Sequence, residues 1–487
     1  MFLKHLSVSN FKAFGSSQKV DLDPVTLLYG QNSAGKSSFI QSVVFLHEAL
    51  GGNFNVHHTK LGGKTLNLGG FDNFVHGGKK KNKSSVLFDL YLGGEVAGFE
   101  NIELLLDFKK TEKKILLRSI LINKDSRGLL EIGWDSSSSA YKLAIIDESG
   151  LWDFDEAQKG AIFKSFEVGV IDNFLVPENL IESAVSQDTN IASCAKKISF
   201  FLTKLSTEIK SIFKNIFYLG GFRELTSRGV LDGASSSNLA NDCGGLFLWN
   251  EIREDHALRE RVNHFLGKLF NHRYELVVRN YFSADTTSEV AKGFYSESRL
   301  NDDDEGDFCG KLLRSLDEET ESDMSHLRVR DTLSNLDLLP QDLGFGVGQV
   351  IPIIAASYSP GKLIMIEQPE THLHPKQQSI LADLLIENAV KYGTRFIVET
   401  HSEFLLLRLL RRIGETDAGK LPDEDKNYAL DVGQLSVVYV NAADKQEGRT
   451  SVKVERMEVS PKGRLRNPWP KGFFSEKKED IFWHAKT

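Results

Sequence analysis

A glycine-rich motif near the start of the chain constrains its fold more than any other feature. Residues 30–38 read Gly-Gln-Asn-Ser-Ala-Gly-Lys-Ser-Ser and fit the pattern G-x-x-x-x-G-K-[ST]. The apolar run Val25–Tyr29 before the motif predicts a buried strand, and the run Ser38–Leu46 after it predicts a helix. A glycine-containing turn between a strand and a helix lets backbone N–H groups surround a polyphosphate. The motif therefore predicts a nucleotide-binding α/β fold.

The residues of this phosphate loop have separate expected roles. Lys36 is expected to reach the β- and γ-phosphates, and the Ser37 hydroxyl is expected to ligate Mg²⁺. The predicted cofactors are therefore ATP and Mg²⁺. The other loop residues expected to contact the nucleotide are Gly30, Asn32, Ser33, Ala34, Gly35 and Ser38.

Two short apolar runs far downstream supply the second half of the predicted site. The first ends at Glu367, and the second ends at Glu399, two residues before His401. Residues 377–390 between them have the periodicity of an amphipathic helix, which predicts a βαβ unit. Ligands bind at the carboxyl ends of parallel strands, so these side chains are expected to converge on the phosphate loop. About 330 residues separate the two halves, which implies a large insertion between two lobes.

A second glycine-rich turn precedes the acidic strand. Gly344, Gly346 and Gly348 lead into an apolar helix, which gives another helix N-terminus with free N–H groups. Such an end is redundant for one phosphate chain unless it serves a nucleotide held by another subunit. Taken alone, such a sequence is more often just a turn. In the order phosphate loop, glycine turn, acidic strand and histidine strand, it favours a homo-oligomer with ATP held between two copies, most simply a twofold dimer.

Taken in this order, the motifs resemble the ABC-type heads of SMC-like, recombination-mediator and overcoming-lysogenisation-defect (OLD) ATPases. Residues 3–14 look like the first strands of those heads, and residues 367–375 are similar to their acidic loop. The chain is most similar to predicted prokaryotic ATPases that share the Glu-Gln-Pro-Glu form and a C-terminal piece of unknown function, matched here at 469–474. The resemblance implies an α/β fold: a two-lobed ABC-type ATPase head with mixed and parallel sheets and a helical insertion.

The acidic loop departs from the usual ABC pattern of two adjacent acids. Here the pair is Glu367-Gln368, and a neutral amide cannot accept a proton from water. Glu367 can serve Mg²⁺ directly or through water, while Gln368 can orient a water molecule. Glu370, Glu399 or His401 would then supply the base or the γ-phosphate contact. With this departure, the resemblance implies slow hydrolysis, closer to a switch than to a motor.

The domain organisation follows from where the sequence period changes. Short alternating strands between residues 85 and 150 predict an antiparallel sheet, and a period near 3.6 follows after residue 160. Tyr218–Arg223 looks like a strand end returning to the core, with Arg223 either a phosphate or subunit contact or an ordinary surface residue. The predicted units are an N-terminal lobe (1–155), a mainly helical insertion with a polar loop (156–330), a C-terminal ATPase lobe (331–425) and an extension (426–487).

Charge and composition exclude other classes of protein. The net charge of −8 argues against nucleic-acid binding over the whole surface. The lysine run at 79–83 has two interpretations, either a solvated hairpin turn or a local contact with a phosphate backbone. No apolar run is long enough to span a bilayer. The cysteines at 194, 243 and 309 are odd in number and widely spaced, which indicates a reducing cytoplasm.

Two classes of function remain open at this point. The first is an ATP-dependent sensor or switch that controls a separate effector; several similar ATPases act beside a nuclease in anti-phage systems. The second is a DNA-repair ATPase or an ATP-regulated nuclease that acts on DNA itself. OLD-type nucleases add a catalytic domain after the ATPase, and only 86 residues follow His401. We therefore expect the switch.

Overall fold

The computed structural model describes residues 1–50, 68, 71–77, 85–110, 115–135, 137, 140–146, 167–168, 189–223, 245–281, 324–442 and 451–469. The lysine run at 79–83 lies outside these residues. The chain divides into two compact units. The first contains Met1–Arg223, Asn241–Gly244 and Ala356–Thr487, and the second contains Glu224–Ala240 and Gly245–Ala355.

The strands and helices are numbered here along the chain. The strands are β1 (Phe2–Ser9), β2 (Gln18–Asp21), β3 (Val25–Tyr29), β4 (Ser85–Val96), β5 (Phe99–Lys110), β6 (Ile115–Lys124), β7 (Arg127–Asp135), β8 (Ala140–Ile145), β9 (Glu167–Val168), β10 (Ile216–Leu219), β11 (Tyr274–Tyr281), β12 (Met324–Asp331), β13 (Leu336–Leu338), β14 (Leu363–Glu367), β15 (Arg395–Glu399), β16 (Leu435–Ala442) and β17 (Val452–Met457). The helices are α1 (Lys36–Leu50), α2 (Phe71–Phe74), α3 (Thr189–Lys214), α4 (Leu246–Glu254), α5 (His256–Phe270), α6 (Phe345–Ser357), α7 (Pro375–Tyr392) and α8 (Glu403–Asp417).

The first unit contains an antiparallel sheet whose strand order is β2-β1-β4-β5-β6-β7-β8-β9. Alternate residues of β4, such as Phe88 and Leu90, are buried, as expected for a sheet with one face on the core. Phe45 of α1 packs on this face, with its ring 5.5 Å from that of Phe88 and 5.0 Å from that of Phe108. Helix α1, which begins at the phosphate loop, is therefore anchored on this sheet along its length.

The second sheet of this unit carries the nucleotide motifs. Its order is β10-β14-β15-β3-β16-β17, and all of these strands run parallel except β17. Every residue of β3 is buried, which explains its continuous apolar sequence. Because β3, β14 and β15 are parallel, their carboxyl ends bring Gly30, Glu367 and Glu399 to one edge of the sheet.

The second unit combines α4, α5 and most of α6 with a small sheet. Asp255 ends α4 and caps α5, where its side chain accepts a hydrogen bond from the Leu258 N–H at 3.0 Å. Strands β11, β12 and β13 form an antiparallel sheet beside these helices. Residues 156–330, predicted as a mainly helical insertion, thus also contain β11 and nearly all of β12, together with strand β10 of the nucleotide sheet.

The predicted fold class is confirmed. The chain is an α/β protein with an antiparallel sheet and a largely parallel sheet, as expected for an ABC-type ATPase head. The predicted βαβ unit is present as β14, α7 and β15, and the predicted return of the chain to the core is strand β10. Among the helices that the structure describes, none combines the length and apolar character needed to cross a membrane.

A buried ion cluster fixes α8 against α7. The Arg412 guanidinium, which is fully buried, donates to Asp383 at 2.9 Å and to Asp425 at 2.9 Å. Arg408 donates to the same Asp383 carboxylate at 2.6 Å. Helix α7 follows the acidic loop and α8 follows His401, so this cluster sets the spacing of the two loops.

Loss of the buried cation should destabilise the protein. Arg412→Met leaves Asp383 buried with one partner fewer, and breaking such a pair costs about 3 kcal/mol. Arg411→Met is the matched control, because Arg411 lies on the same helix, is exposed, and pairs with Glu415 at the surface. In a denaturant titration, the midpoint of the first unfolding transition should move to a lower denaturant concentration for Arg412→Met and should change little for Arg411→Met. Equal midpoints for the wild type and Arg412→Met would contradict the stabilising role of this ion cluster.

Candidate nucleotide site

The phosphate loop rests directly on the last two strands of the nucleotide sheet. Gly30 has φ +148°, and a Cβ there would lie 2.1 Å from the Val440 carbonyl oxygen. Gly35 has φ +109°, and its Cβ would lie 2.8 Å from a Val452 methyl carbon. Both glycines of the motif are therefore required by space as well as by backbone conformation.

The remaining loop residues lie where a phosphate chain would meet them. Helix α1 begins at Lys36, so the first N–H groups of the helix, including those of Ser37 and Ser38, have no carbonyl partner within it. Asn32 and Ser33 are exposed at the front of the loop, whereas Ala34 is buried beneath it. The loop and the helix end together form an anion-binding cradle.

The Lys36 side chain is held in place by the loop itself. Its ammonium donates to the carbonyl oxygens of Gly30 and Gln31, each at 2.9 Å, and only 3% of the side chain is exposed. Burial lowers the pKa of Lys36, and the nearby carboxylates, Glu399 foremost, oppose that shift. The charge is thus positioned before a phosphate arrives.

Ser37 is joined to Glu399. The Ser37 hydroxyl donates to Glu399 Oε2 at 2.8 Å, and Lys36 Nζ lies 3.9 Å from Glu399 Oε1. Strand β15 lies directly beside β3, whereas β14 with Glu367 is one strand further away. Ser37 and Glu367 are the metal ligands predicted from the sequence, but the structure brings Glu399 to the serine.

Glu367 is held from the opposite side by Tyr218, which is not among the predicted site residues, and by Arg223, for which a phosphate or subunit contact is one of the two predictions. The Tyr218 hydroxyl donates to Glu367 Oε1 at 2.9 Å, and Arg223 donates to the Glu367 carbonyl oxygen. Arg223 is fully buried, so its interpretation as an ordinary surface residue is wrong. Tyr218 lies in β10, and Arg223 follows shortly after the end of that strand. The sequence signal for a role of Arg223 in the site was its position just after a strand and a Gly-Gly pair.

Glu370 and His401 join the acidic loop to the histidine turn. The His401 backbone N–H donates to Glu370 Oε1 at 2.7 Å. Burial raises the pKa of the Glu370 carboxyl, and its hydrogen bonds, first that from His401, oppose the rise. Burial, followed by the charge of Lys36, lowers the pKa of His401, which favours a neutral imidazole. The ring is thus suited to a hydrogen bond to a phosphate oxygen rather than to an ion pair.

Gln368, which lies between Glu367 and Glu370 in the sequence, has a strained backbone conformation. Its φ is +46°, a left-handed conformation that is costly for a residue with a side chain. Its backbone N–H donates to the Glu399 carbonyl oxygen at 2.7 Å, and its own carbonyl accepts from the Thr371 hydroxyl at 3.0 Å. These bonds fix the turn and place an amide where related heads carry an acid.

The second glycine turn lies in the second unit. Gly344 immediately precedes α6, which begins at Phe345, so Gly346 and Gly348 fall within the first turn of that helix. The Val347 N–H donates to the Gly344 carbonyl at 3.0 Å. The first turn of α6 therefore alternates glycines with two apolar residues: Phe345, which is 55% exposed, and Val347, which is buried.

The donor set at the strand ends fits Mg²⁺. The groups that would hold it are the Ser37 hydroxyl and the carboxylates of Glu399 and Glu367, all oxygen donors. Burial raises the pKa of both carboxyls, and the nearby charges of Glu367 and Glu370 also raise the pKa of Glu399. Mg²⁺ held by these groups would offset their negative charge and that of a bound phosphate chain.

Comparison with family models gives two matches. The model of the AAA ATPase domain (AAA_15) matches residues 1–406. A model described as a protein of unknown function (DUF3696) matches residues 430–482. Comparison with curated proteins gave no significant match.

Solved structures similar to the chain include several SMC heads. The SMC head domain from Thermotoga maritima is 14% identical with a TM-score of 0.37, covering 94% of this chain and 100% of that one. An SMC head bound to the C-winged helix domain of ScpA is 12% identical, with a TM-score of 0.40 and coverages of 94% and 98%. An SMC head with an extended coiled coil, bound to the C-terminal domain of ScpA derived from Pyrococcus furiosus, is 10% identical, with a TM-score of 0.40 and full coverage of both chains.

The raised carboxyl pKa values predict how Mg²⁺ binding depends on pH. Glu399 and Glu367 take up protons at a higher pH than ordinary carboxyls, so they lose their charge earlier as the pH falls. Below the raised pKa, each proton taken up should cost about tenfold in Mg²⁺ affinity per pH unit. Calorimetric Mg²⁺ titrations of the ATP-loaded protein between pH 4 and pH 8 measure this dependence.

Two variants make that measurement specific. Glu399→Gln should bind Mg²⁺ weakly and with a flatter pH dependence. Glu424→Gln, which alters an exposed acid on a surface turn, should behave like the wild type. A wild-type affinity that stays constant down to pH 4, below the ordinary pKa of a glutamate, would contradict the assignment.

Proposed function

Because the chain belongs to the AAA ATPase domain family (AAA_15), we propose that it is an ABC-type ATPase that binds ATP with Mg²⁺ and hydrolyses it slowly as a switch. The observation that carries the proposal is the joint placement of Lys36, Ser37 and Glu399 at adjoining strand ends. Lys36 would neutralise the phosphates, and Ser37 with Glu399 would hold the metal. The anion cradle at the start of α1 supplies the remaining contacts.

Slow hydrolysis is supported by how the carboxylates are engaged. Glu399 accepts from Ser37, Glu370 from the His401 backbone, and Glu367 from Tyr218. A general base needs a carboxylate within reach of the attacking water. The residue next to the metal-side acid is Gln368, whose amide can orient water but cannot take its proton. Hydrolysis would then depend mainly on positioning and on charge stabilisation by Lys36.

A second element of the proposal is a closed dimer. At the N-terminus of α6, Gly344 is exposed and a Cβ there would meet no atom within 4 Å, while Gly346 in the first turn is partly exposed. In ABC-type heads such a turn completes the site of a neighbouring copy. We infer that two copies hold ATP between Lys36 of one and this turn of the other.

The partner effector and the biological process are proposed from the family resemblance. From its resemblance to ATPases of anti-phage systems, the chain would sense a signal and hold or release a separate effector, most simply a nuclease. The net charge of −8 favours a protein partner over direct binding of DNA along the whole surface. A cytoplasmic location stays a prediction.

Restoring the missing acid should accelerate hydrolysis. Gln368→Glu is expected to raise kcat by about tenfold to a hundredfold, the lower range for a general base, with little change in KM. Lys36→Ala is the control that should abolish ATP binding. Steady-state phosphate release measures both variants. A wild type that turns over hundreds of ATP per second, or a Gln368→Glu variant slower than wild type, would contradict the slow switch.

Closure of the dimer should depend on Gly346. Gly346→Glu places a bulky negative side chain where the γ-phosphate of the other copy would lie, so it should prevent ATP-dependent dimerisation. ATP binding by each copy should be retained, because the phosphate loop is untouched. Light scattering with a slowly hydrolysed ATP analogue measures the mass of wild type and variant. A wild type that stays monomeric under saturating analogue would rule the dimer out.

A further inference from the structure

The region matched by the model of unknown function begins as part of the nucleotide sheet. Strand β16 pairs with β3, and β17 pairs with β16. Val440 of β16 lies against Gly30, and Val452 of β17 lies against Gly35. The Val452 N–H also donates to the Ala13 carbonyl at 3.0 Å. The C-terminal strands therefore form the floor of the phosphate loop.

After β17 the chain folds into a hairpin that docks on α8. Val459 and Leu465 form a bridge, and the Arg466 N–H donates to the Glu458 carbonyl at 2.8 Å. At the tip, Gly463 has φ +65°, and a Cβ there would lie 1.8 Å from the Leu410 carbonyl oxygen of α8. Only glycine permits this close approach. The hairpin, residues 458–469, is thus fixed to the helix that follows His401.

The hairpin ends at Trp469, which packs on the strand that leads into the phosphate loop. Its ring meets Tyr29 edge-on, with centroids 5.4 Å apart and planes at 71°, and lies 6.3 Å from Tyr439. Tyr29 is fully buried and directly precedes Gly30. Edge-to-face aromatic pairs restrict ring orientation as well as burying area.

Tyr29 in turn links the two loops of the site. Its hydroxyl donates to the Ser402 carbonyl at 2.8 Å, next to His401. Ser402 caps α8, because its side chain accepts from the Leu405 N–H at 3.1 Å. The position of one tyrosine ring therefore affects both the start of the phosphate loop and the histidine turn.

We propose that Trp469 is a positioning residue for the nucleotide site: it holds Tyr29 so that the phosphate loop and the His401 turn keep their binding geometry. The C-terminal region of unknown function would thereby act as a built-in support of the ATP site. This inference rests on the proposed ATP binding. It assigns Trp469 no contact with the nucleotide.

The first test compares two substitutions of the same residue. Trp469→Ala should weaken ATP binding about tenfold by calorimetry, because Tyr29 loses its restraint, whereas Trp469→Phe keeps an aromatic edge and should stay within about twofold of wild type. Trp134→Ala is the control for loss of a partly buried tryptophan elsewhere in the first unit, on β7. A Trp469→Ala variant that loses thermal stability but binds ATP with wild-type affinity would overturn the proposal.

A double-mutant cycle tests the route through Tyr29. Tyr29→Phe removes the hydroxyl that reaches Ser402 and keeps the ring. If Trp469 acts through this hydroxyl, the double variant Tyr29→Phe/Trp469→Ala should weaken ATP binding less than the product of the two single effects. Strictly multiplicative effects would contradict a shared route.

Tryptophan fluorescence tests the proposal even if Trp469→Ala fails to fold. ATP should change the emission of the wild type, and Trp469→Phe should remove that change while still binding ATP. Trp134→Phe should retain it. An ATP-induced change that persists in Trp469→Phe would overturn the proposal. A wild type that binds no ATP by calorimetry would instead contradict the proposed function.

Discussion

The hydrogen bond between Ser37 and Glu399 is the contact on which the site depends. It joins the first turn of α1 to the end of β15 at 2.8 Å, and Lys36 lies 3.9 Å from the same carboxylate. This contact exists only because β15 lies directly beside β3 in the sheet. The two halves of the site are distant in sequence, so strand pairing rather than local sequence brings the cation and the carboxylate together.

Three carboxylates make this edge electrostatically costly: two at adjoining strand ends and a third in the loop after β14. Burial raises the pKa of Glu367, Glu370 and Glu399, because the charged form loses hydration. Lys36 and Arg223 offset part of this cost, and Mg²⁺ would offset more. A nucleotide brings further negative charge, so its binding and that of the metal should be coupled at this edge. Such coupling is the behaviour expected of a switch that responds to loaded ATP.

Local patterns predicted the elements of the site well. Strand β3 covers Val25–Tyr29 as predicted, and β14 and β15 end at the predicted acids. The partner of Ser37 could not be read from the sequence, because Glu367 and Glu399 end similar apolar strands and only strand order distinguishes them. The contact of Arg223 with Glu367 likewise requires that β10 pair with β14, which no local period encodes. Roles assigned to individual site residues stay predictions.

The strand order also explains why the C-terminal region matters to the nucleotide site. Strand β3 is central, with β15 on one side and β16 on the other, so the phosphate loop is supported by segments from both directions of the chain. Movement of β16 would displace Val440 against Gly30, where there is no room for even a methyl group. Packed interiors respond to such displacement by shifting as a unit rather than by deforming gradually. A partner that bound the C-terminal region could therefore alter ATP binding without touching the nucleotide.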